Sequence, residues 1–284
     1  MDQKMFDLYE QFSKGQVPRR EFFKKLVVLA GGVAAAHSML SVLEARAEIV
    51  AGDDPRLETE MVTYQGADEM SAYLAKPKEM EDNLPGVIVI HENRGLQPHI
   101  KDVARRMALE GFVALAPDAL SPLGGTPEDD VDAARSKMRE LDREKTVKNF
   151  VAAVDYMKTH PLTTGKVGCT GFCWGGAMTN QVAVHAPDLI AAVPYYGSQP
   201  DAQDVPKIEA SILAHYAGED ERINKGIQAF EKALKEAGID YKFYMYDGAQ
   251  HAFNNDDNPG RYNKEAAELA WKRTIEFFNE KLKA

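Results

Sequence analysis

The stretch "KVGCTGFCWGGAM", residues 166–178, holds the only two cysteines of a 284-residue chain. Residues 167–172 read as a strand and those from Trp174 onward as a helix. Cys173 therefore sits at the turn, inside Gly171-Phe172-Cys173-Trp174-Gly175. A strand, then Gly-x-Cys-x-Gly, then a helix is the arrangement that lifts a nucleophile clear of a sheet. Side chains at 171 and 175 would clash across so tight a crossing, and the turn residue itself is strained. The helix N-terminus brings backbone N–H groups to the same point and favours a thiolate over a thiol. Cys169, in mid-strand, reads instead as a small apolar core residue. A strand residue and a turn residue four apart should keep their Cα atoms beyond the ~7 Å at which bridging fails, so two free thiols are expected.

Working outward from this turn, strands and helices alternate. Residues 58–64 and 71–75 read as two leading strands joined at Gly66-Ala67-Asp68, and 86–90 as an apolar strand buried on both faces. Ile100, Val103, Ala104 and Met107 follow at helical spacing, then a strand over 112–116 ended by Pro117. A helix carrying Val147, Phe150, Val151 and Val154 leads into the strand at 167–172. Strands over 192–196, 212–216 and 241–246, a helix over 225–237 and a last helix carrying Ala267 to Phe278 complete the pattern. Such alternation predicts an α/β fold: a mostly parallel central sheet with helices on both faces, in three α/β/α layers. No Pro/Gly/Ser-rich linker divides the chain after residue 56, so residues 48–284 are expected to form a single domain. The longest irregular piece, 121–128, follows a strand's carboxyl end, where ligands bind in such sheets.

Residues 1–47 stand apart. Pro18-Arg19-Arg20-Glu21-Phe22-Phe23-Lys24-Lys25 precedes an eleven-residue apolar run, 26–36, and a small-x-small end at Ala45-Arg46-Ala47. Charged region, short apolar region and cleavage site come in the order an export signal requires. The paired arginines resemble a twin-arginine signal, read by an export machinery of that name. A run of eleven residues falls short of the ~20 needed to span a bilayer, so no stable membrane insertion is expected after cleavage. Cleavage is expected after Ala47 and the mature protein in the periplasm, or otherwise exported. A net charge of −10 argues against nucleic acid as a partner, because phosphate contacts need a basic face.

A nucleophilic cysteine needs a base, and the base an orienting carboxylate. In a sheet of this kind the chain order is nucleophile, acid, histidine. Of seven histidines, His251 alone follows the last strand, in Asp247-Gly248-Ala249-Gln250-His251-Ala252-Phe253. His99, His160 and His185 sit on or beside helices, His91 directly follows a buried strand, and His215 alternates within one. The acid belongs in Ala217-Gly218-Glu219-Asp220-Glu221-Arg222, where spacing does not separate Glu219, Asp220 and Glu221.

"GFCWGG", "AGEDERI" and "GAQHAFNND", in this order, resemble the dienelactone hydrolase family, the carboxymethylenebutenolidases, over roughly residues 56–284. The resemblance implies an α/β-hydrolase fold and a Cys173–His251–Asp220 triad, which selects Asp220. It implies that Glu92, in "VIVIHENRGL", contacts the cysteine at rest and keeps it from ionising. It also implies an oxyanion hole made by the backbone N–H groups of Asn93 and Trp174. Family members hold a substrate carboxylate with arginines, one of them just beyond the catalytic histidine. Here that neighbourhood carries none before Arg261, leaving Arg94 as the substrate-binding candidate, with Arg135, Arg139 or Arg143 as substitutes. The expected activity is hydrolysis of a small lactone or ester through an acyl-enzyme, with no metal or organic cofactor. The alternative is an exported protein of the same fold that binds a small ligand or partner without turnover.

Overall fold

The computed structural model describes residues 3–13, 17–36, 39–40, 49–127, 129–258 and 260–284. The expected cleavage point at Ala47 lies outside the described residues. Ahead of it, α1 (Gln3–Ser13) and α2 (Arg19–Ala30) form a hydrophobic cluster of their own, with Phe12 stacked on Phe22 at 4.4 Å. Among the described residues no helix is long and apolar enough to cross a membrane.

The strands are β1 (Leu57–Gln65), β2 (Glu69–Pro77), β3 (Leu84–Ile90), β4 (Val113–Pro117), β5 (Thr163–Phe172), β6 (Ala191–Tyr195), β7 (Ser211–Ala217) and β8 (Tyr241–Tyr246). They form one eight-stranded sheet in the order β1-β2-β4-β3-β5-β6-β7-β8. β1 and β2 pair as an antiparallel hairpin, β2 runs antiparallel to β4, and the remaining neighbours are parallel. The period-2 alternation divides the core between two faces. Ile88 and Ile90 of β3 and Cys169 of β5 pack under α5 (Arg143–Thr159), α6 (Trp174–His185) and α8 (Ile227–Ala237). Val87 and Val89 point the other way, under α3 (Pro98–Leu109) and α9 (Lys264–Leu282). This is the three-layer α/β-hydrolase architecture.

Several strands run longer than the sequence pattern suggests, β5 beginning at Thr163 rather than at 167, and two helical segments depart from it. A further helix, α4 (Val131–Glu140), follows the irregular segment, which itself begins as a 3₁₀ turn over Ser121–Leu123. Asp130 caps α4 by accepting from the Asp132 and Ala133 N–H groups, but only Ala134 and Met138 of this helix are buried, so its apolar stripe is faint. The expected helix over 225–237 is preceded by a separate turn, α7 (Glu221–Asn224), and begins only at Ile227. Asp220 caps that short turn, and this cap, rather than an apolar period, places it.

The β5–α6 crossing is as tight as the glycines suggest. A Cβ built on Gly171 would lie 2.3 Å from the Gly175 carbonyl oxygen and 2.7 Å from Thr179 Oγ1. One on Gly175 would lie 2.4 Å from the Ile90 oxygen. Backbone cannot give way as a side-chain tip can. Gly171→Ala is therefore expected to cost about 3 kcal/mol, a melting temperature lower by roughly 6–12 °C. Thermal unfolding followed by circular dichroism checks this, with Gly52→Ala, where nothing lies within 4 Å, as the control. Equal melting temperatures for the two variants would contradict the packing described.

Candidate active site

Cys173 leaves β5 with φ 58° and ψ −110°, a left-handed conformation that costs a non-glycine residue about 1–3 kcal/mol. Two hydrogen bonds hold it there: its N–H donates to the Tyr195 carbonyl at 3.0 Å, and its carbonyl accepts from Ala177 N–H at 3.1 Å. Strand β6 thus fixes the turn from one side and α6 from the other.

His251 arrives on the loop after β8, and Asp220 on the loop after β7. The two loops are tied by backbone bonds, Gly218 N–H to the Tyr246 carbonyl at 2.9 Å and Glu219 N–H to the Ala249 carbonyl at 3.0 Å. His251 Nε2 lies 3.0 Å from Cys173 Sγ, and His251 Nδ1 hydrogen-bonds Asp220 Oδ2. The other carboxylate oxygen, Oδ1, accepts from Ile223 N–H at 3.4 Å as the cap of α7. Glu219 and Glu221 are exposed, whereas Asp220 is buried, so the structure separates the three acids that spacing did not. With Nδ1–H donating to a carboxylate, Nε2 is left as an acceptor for the thiol proton. The Tyr196 ring meets the imidazole edge to face at 5.2 Å.

Glu92 stands at the end of β3, 7% exposed. Its hydrogen bond goes to Asn255, whose Nδ2 donates to Oε2 at 2.6 Å, and not to the cysteine that the resemblance implied as its contact. The thiol is bonded to His251 instead. The carboxylate still acts on it through space. Burial, then the Glu92 charge, push the Cys173 thiol up to about 11, against the opposing pull of the Trp174 N–H and the Arg222 charge. Cys169 is fully buried and pushed up to about 12 by desolvation, the behaviour of a core residue. Both cysteines are free.

A cleft of about 510 Å³ opens beside His251, lined by Glu219, Asp220, Arg222, Gln250, His251 and Arg261. The arginines on it are Arg222 and Arg261. Arg94 is half-buried on the loop after Glu92, where its carbonyl accepts from Gln97, and Arg135 pairs with Asp132 on α4. Sequence reasoning missed Arg222 although it stands in the quoted acid loop, because only the turn at α7 brings it round to the cleft. Asn255 went unnoticed as Glu92's partner, since nothing local links residues so far apart. Among the described residues no group of three or more His, Cys, Asp or Glu side chains could hold a metal ion.

Residues 70–282 match the model of the dienelactone hydrolase family. The chain belongs to that family. It is 35% identical over 228 residues to a provisionally named carboxymethylenebutenolidase of Escherichia coli strain K12, covering 75% of this chain and 83% of the relative. It is 38% identical over 221 residues to the protein usf of Aquifex pyrophilus, covering 75% and 94%. A solved dienelactone hydrolase-like promiscuous phosphotriesterase from metagenomic libraries superposes with a TM-score of 0.72 at 26% identity, over 80% of this chain and 99% of that one. Membership makes the protein a dienelactone hydrolase-type enzyme acting on lactones or esters.

If the Glu92 charge helps keep the thiol protonated, Glu92→Gln should lower the thiol's pKa and raise the thiolate fraction at any pH below it. The amide oxygen can still accept from Asn255, so the loop should keep its shape. Alkylation of Cys173 by iodoacetamide should then run several-fold faster than in the parent between about pH 5 and 8, scanned around the ~6.5 reference value of imidazole. Rates equal within error across that range would remove Glu92 from the site.

Proposed function

We propose that this dienelactone hydrolase family member is an exported enzyme that opens a small lactone or ester through a Cys173–His251–Asp220 triad. The observation that carries the reading is the unbroken line from Asp220 through His251 to the sulfur, ending in the 3.0 Å contact of Nε2 with Sγ. Cys173 S–H passes its proton to His251 Nε2, and the sulfur forms a bond to the substrate carbonyl carbon. The carbonyl's electron pair moves onto oxygen, where the N–H groups of Asn93 and Trp174 stabilise the negative charge. Asp220 holds the imidazole in the Nδ1–H tautomer and stabilises the imidazolium without taking its proton. As the carbon–oxygen bond of the ester breaks, His251 returns the proton to the leaving alkoxide, leaving a thioester on Cys173. Water then gives a proton to His251, attacks the thioester and releases the carboxylic acid. The thiolate recovers the proton, and no metal or organic cofactor takes part.

Mixing with p-nitrophenyl acetate and quenching in acid should trap the thioester as a 42 Da adduct on the peptide holding Cys173, the mass of an acetyl group replacing hydrogen. Iodoacetamide beforehand should abolish both adduct and turnover. Turnover undiminished after complete alkylation of Cys173 would overturn the thiol mechanism.

Export rests on the sequence pattern of residues 18–47, with the twin-arginine machinery as the precursor's partner. N-terminal sequencing of the protein from a bacterial periplasm should begin at or near Glu48. A start at residue 1 or 2 in that fraction would defeat it.

A further inference from the structure

His91 is fully buried and both its ring nitrogens are engaged. Nδ1 lies 2.6 Å from the Glu92 carbonyl oxygen. A carbonyl cannot donate, so Nδ1 carries the proton. Nε2 lies 3.0 Å from the Ala119 backbone nitrogen and, facing an N–H, is the bare acceptor. The ring is therefore held neutral in one tautomer, and burial acts in the same direction by lowering its proton affinity. One face of the ring stacks on Trp174, with centroids 5.4 Å apart and planes at 11°. The His91 carbonyl also abuts Gly175, on which a Cβ would lie 2.5 Å away.

The Glu92 carbonyl that accepts from His91 Nδ1–H shares a peptide with the Asn93 N–H. In a trans peptide the C=O and N–H point in opposite directions from one rigid plane, so holding one end aims the other. Among the described residues no acceptor meets the Asn93 N–H, which leaves it available to a ligand. We propose that His91 is a positioning residue for the oxyanion hole: through Nδ1–H it pins the Glu92–Asn93 peptide, and so aims the Asn93 N–H. This rests on the reading above that the N–H groups of Asn93 and Trp174 receive the oxyanion. It assigns a task to a histidine that touches neither substrate nor thiol. Donors of this kind act only when fixed where charge will develop, so an unpinned peptide loses transition-state stabilisation while substrate binding is largely kept.

Two substitutions divide the two nitrogens. Asn places an N–H donor two bonds beyond Cβ, as Nδ1 is placed, and so retains the bond to the Glu92 carbonyl. Gln places an acceptor three bonds beyond Cβ, as Nε2 is placed, and so retains the bond from Ala119 but loses the pin. Both lose the stacking on Trp174. Steady-state hydrolysis of p-nitrophenyl acetate by the full chain should show kcat lowered on the order of 10²-fold in His91→Gln, comparable with loss of one oxyanion donor. KM should stay within about threefold, because ground-state binding is not the interaction removed. His91→Asn should retain kcat within about fivefold of the parent, since the donor persists. Melting temperatures of both variants and iodoacetamide inactivation of the parent complete the set. Equal losses in both variants, or losses that follow the melting temperatures, would assign His91 to packing and overturn the proposal. A parental kcat in His91→Gln, in an enzyme that iodoacetamide still silences, would overturn it while the thiol mechanism stood. A parent enzyme that iodoacetamide fails to silence would bring down both.

Discussion

Backbone meets backbone at the head of α6 with no side chains between, and the rest of the site depends on that contact. Gly175 abuts the carbonyls of Ile90 and His91, and a Cβ on Gly176 would lie 2.4 Å from the Tyr195 oxygen. The carboxyl ends of β3, β5 and β6 therefore converge on one helix N-terminus, three strands wide. Packed interiors do not deform continuously, so Cys173 has one conformation available, strained as it is. The same contact brings the loop carrying Glu92 and Asn93 within reach of the thiol. A larger residue at any of these glycines would separate elements that must act together.

Magnitudes decide the resting state of the thiol. A helix N-terminus favours a nearby anion by about 0.3–1 kcal/mol, up to ~2 in partly buried settings. That effect, with the Trp174 N–H and Arg222 beside it, would draw the thiol down. Burial and the Glu92 charge oppose it and win, leaving the thiol at about 11 rather than 9.0. The difference corresponds to something on the order of 3 kcal/mol against ionisation. Cys173 at rest is therefore a thiol, poorly reactive toward oxidants, and in the proposed mechanism the thiolate appears when its proton moves to His251. In the exported enzyme proposed above, a thiol held protonated would resist oxidation outside the reducing cytoplasm.

How much of this was legible in the sequence depended on the distance over which each constraint acts. The sheet could be read because each strand carries its own alternation or apolar run, and the turn at Cys173 because its glycines are adjacent. His251 could be found by elimination, since one histidine alone follows the last strand. Asp220 could not be told from its neighbours by spacing. The family resemblance selected it, and the folded chain gives the physical reason: Asp220 is buried, caps α7 at Ile223 and bonds His251. Helix α4 went unread because two buried residues make no stripe. Glu92's partnership with Asn255, the ring of His91 against Trp174, and Arg222 and Arg261 on one cleft all join residues distant in sequence. No local pattern carries such pairs.

The loop that carries His251 is anchored from below by charges outside the proposed triad. Asp102 and Asp256 share the Arg106 guanidinium, and Asp256 also accepts from His99 at 2.7 Å. Burial works against a charge on His99, but the Asp256 carboxylate outweighs it and raises the imidazole's proton affinity. Burial likewise opposes the charge on Asp256, yet His99 and Arg106 pull its carboxyl down to about 2. On the same helix, Asp102 accepts from Val50 N–H at 2.8 Å and Arg105 donates to the Val50 carbonyl at 2.8 Å. One buried network thus joins α3, the segment at residues 49–50 and the loop that runs from His251 through Asn255 to Asp256. Such networks add little stability over an apolar core of equal volume, but they admit few alternative registers. An apolar contact would let this loop slide by a fraction of an ångström. The Asp256 carboxylate, bound to both Arg106 and His99 of α3, fixes it more tightly, and the positions of the His251 imidazole and of the Asn255 amide that holds Glu92 depend on that loop.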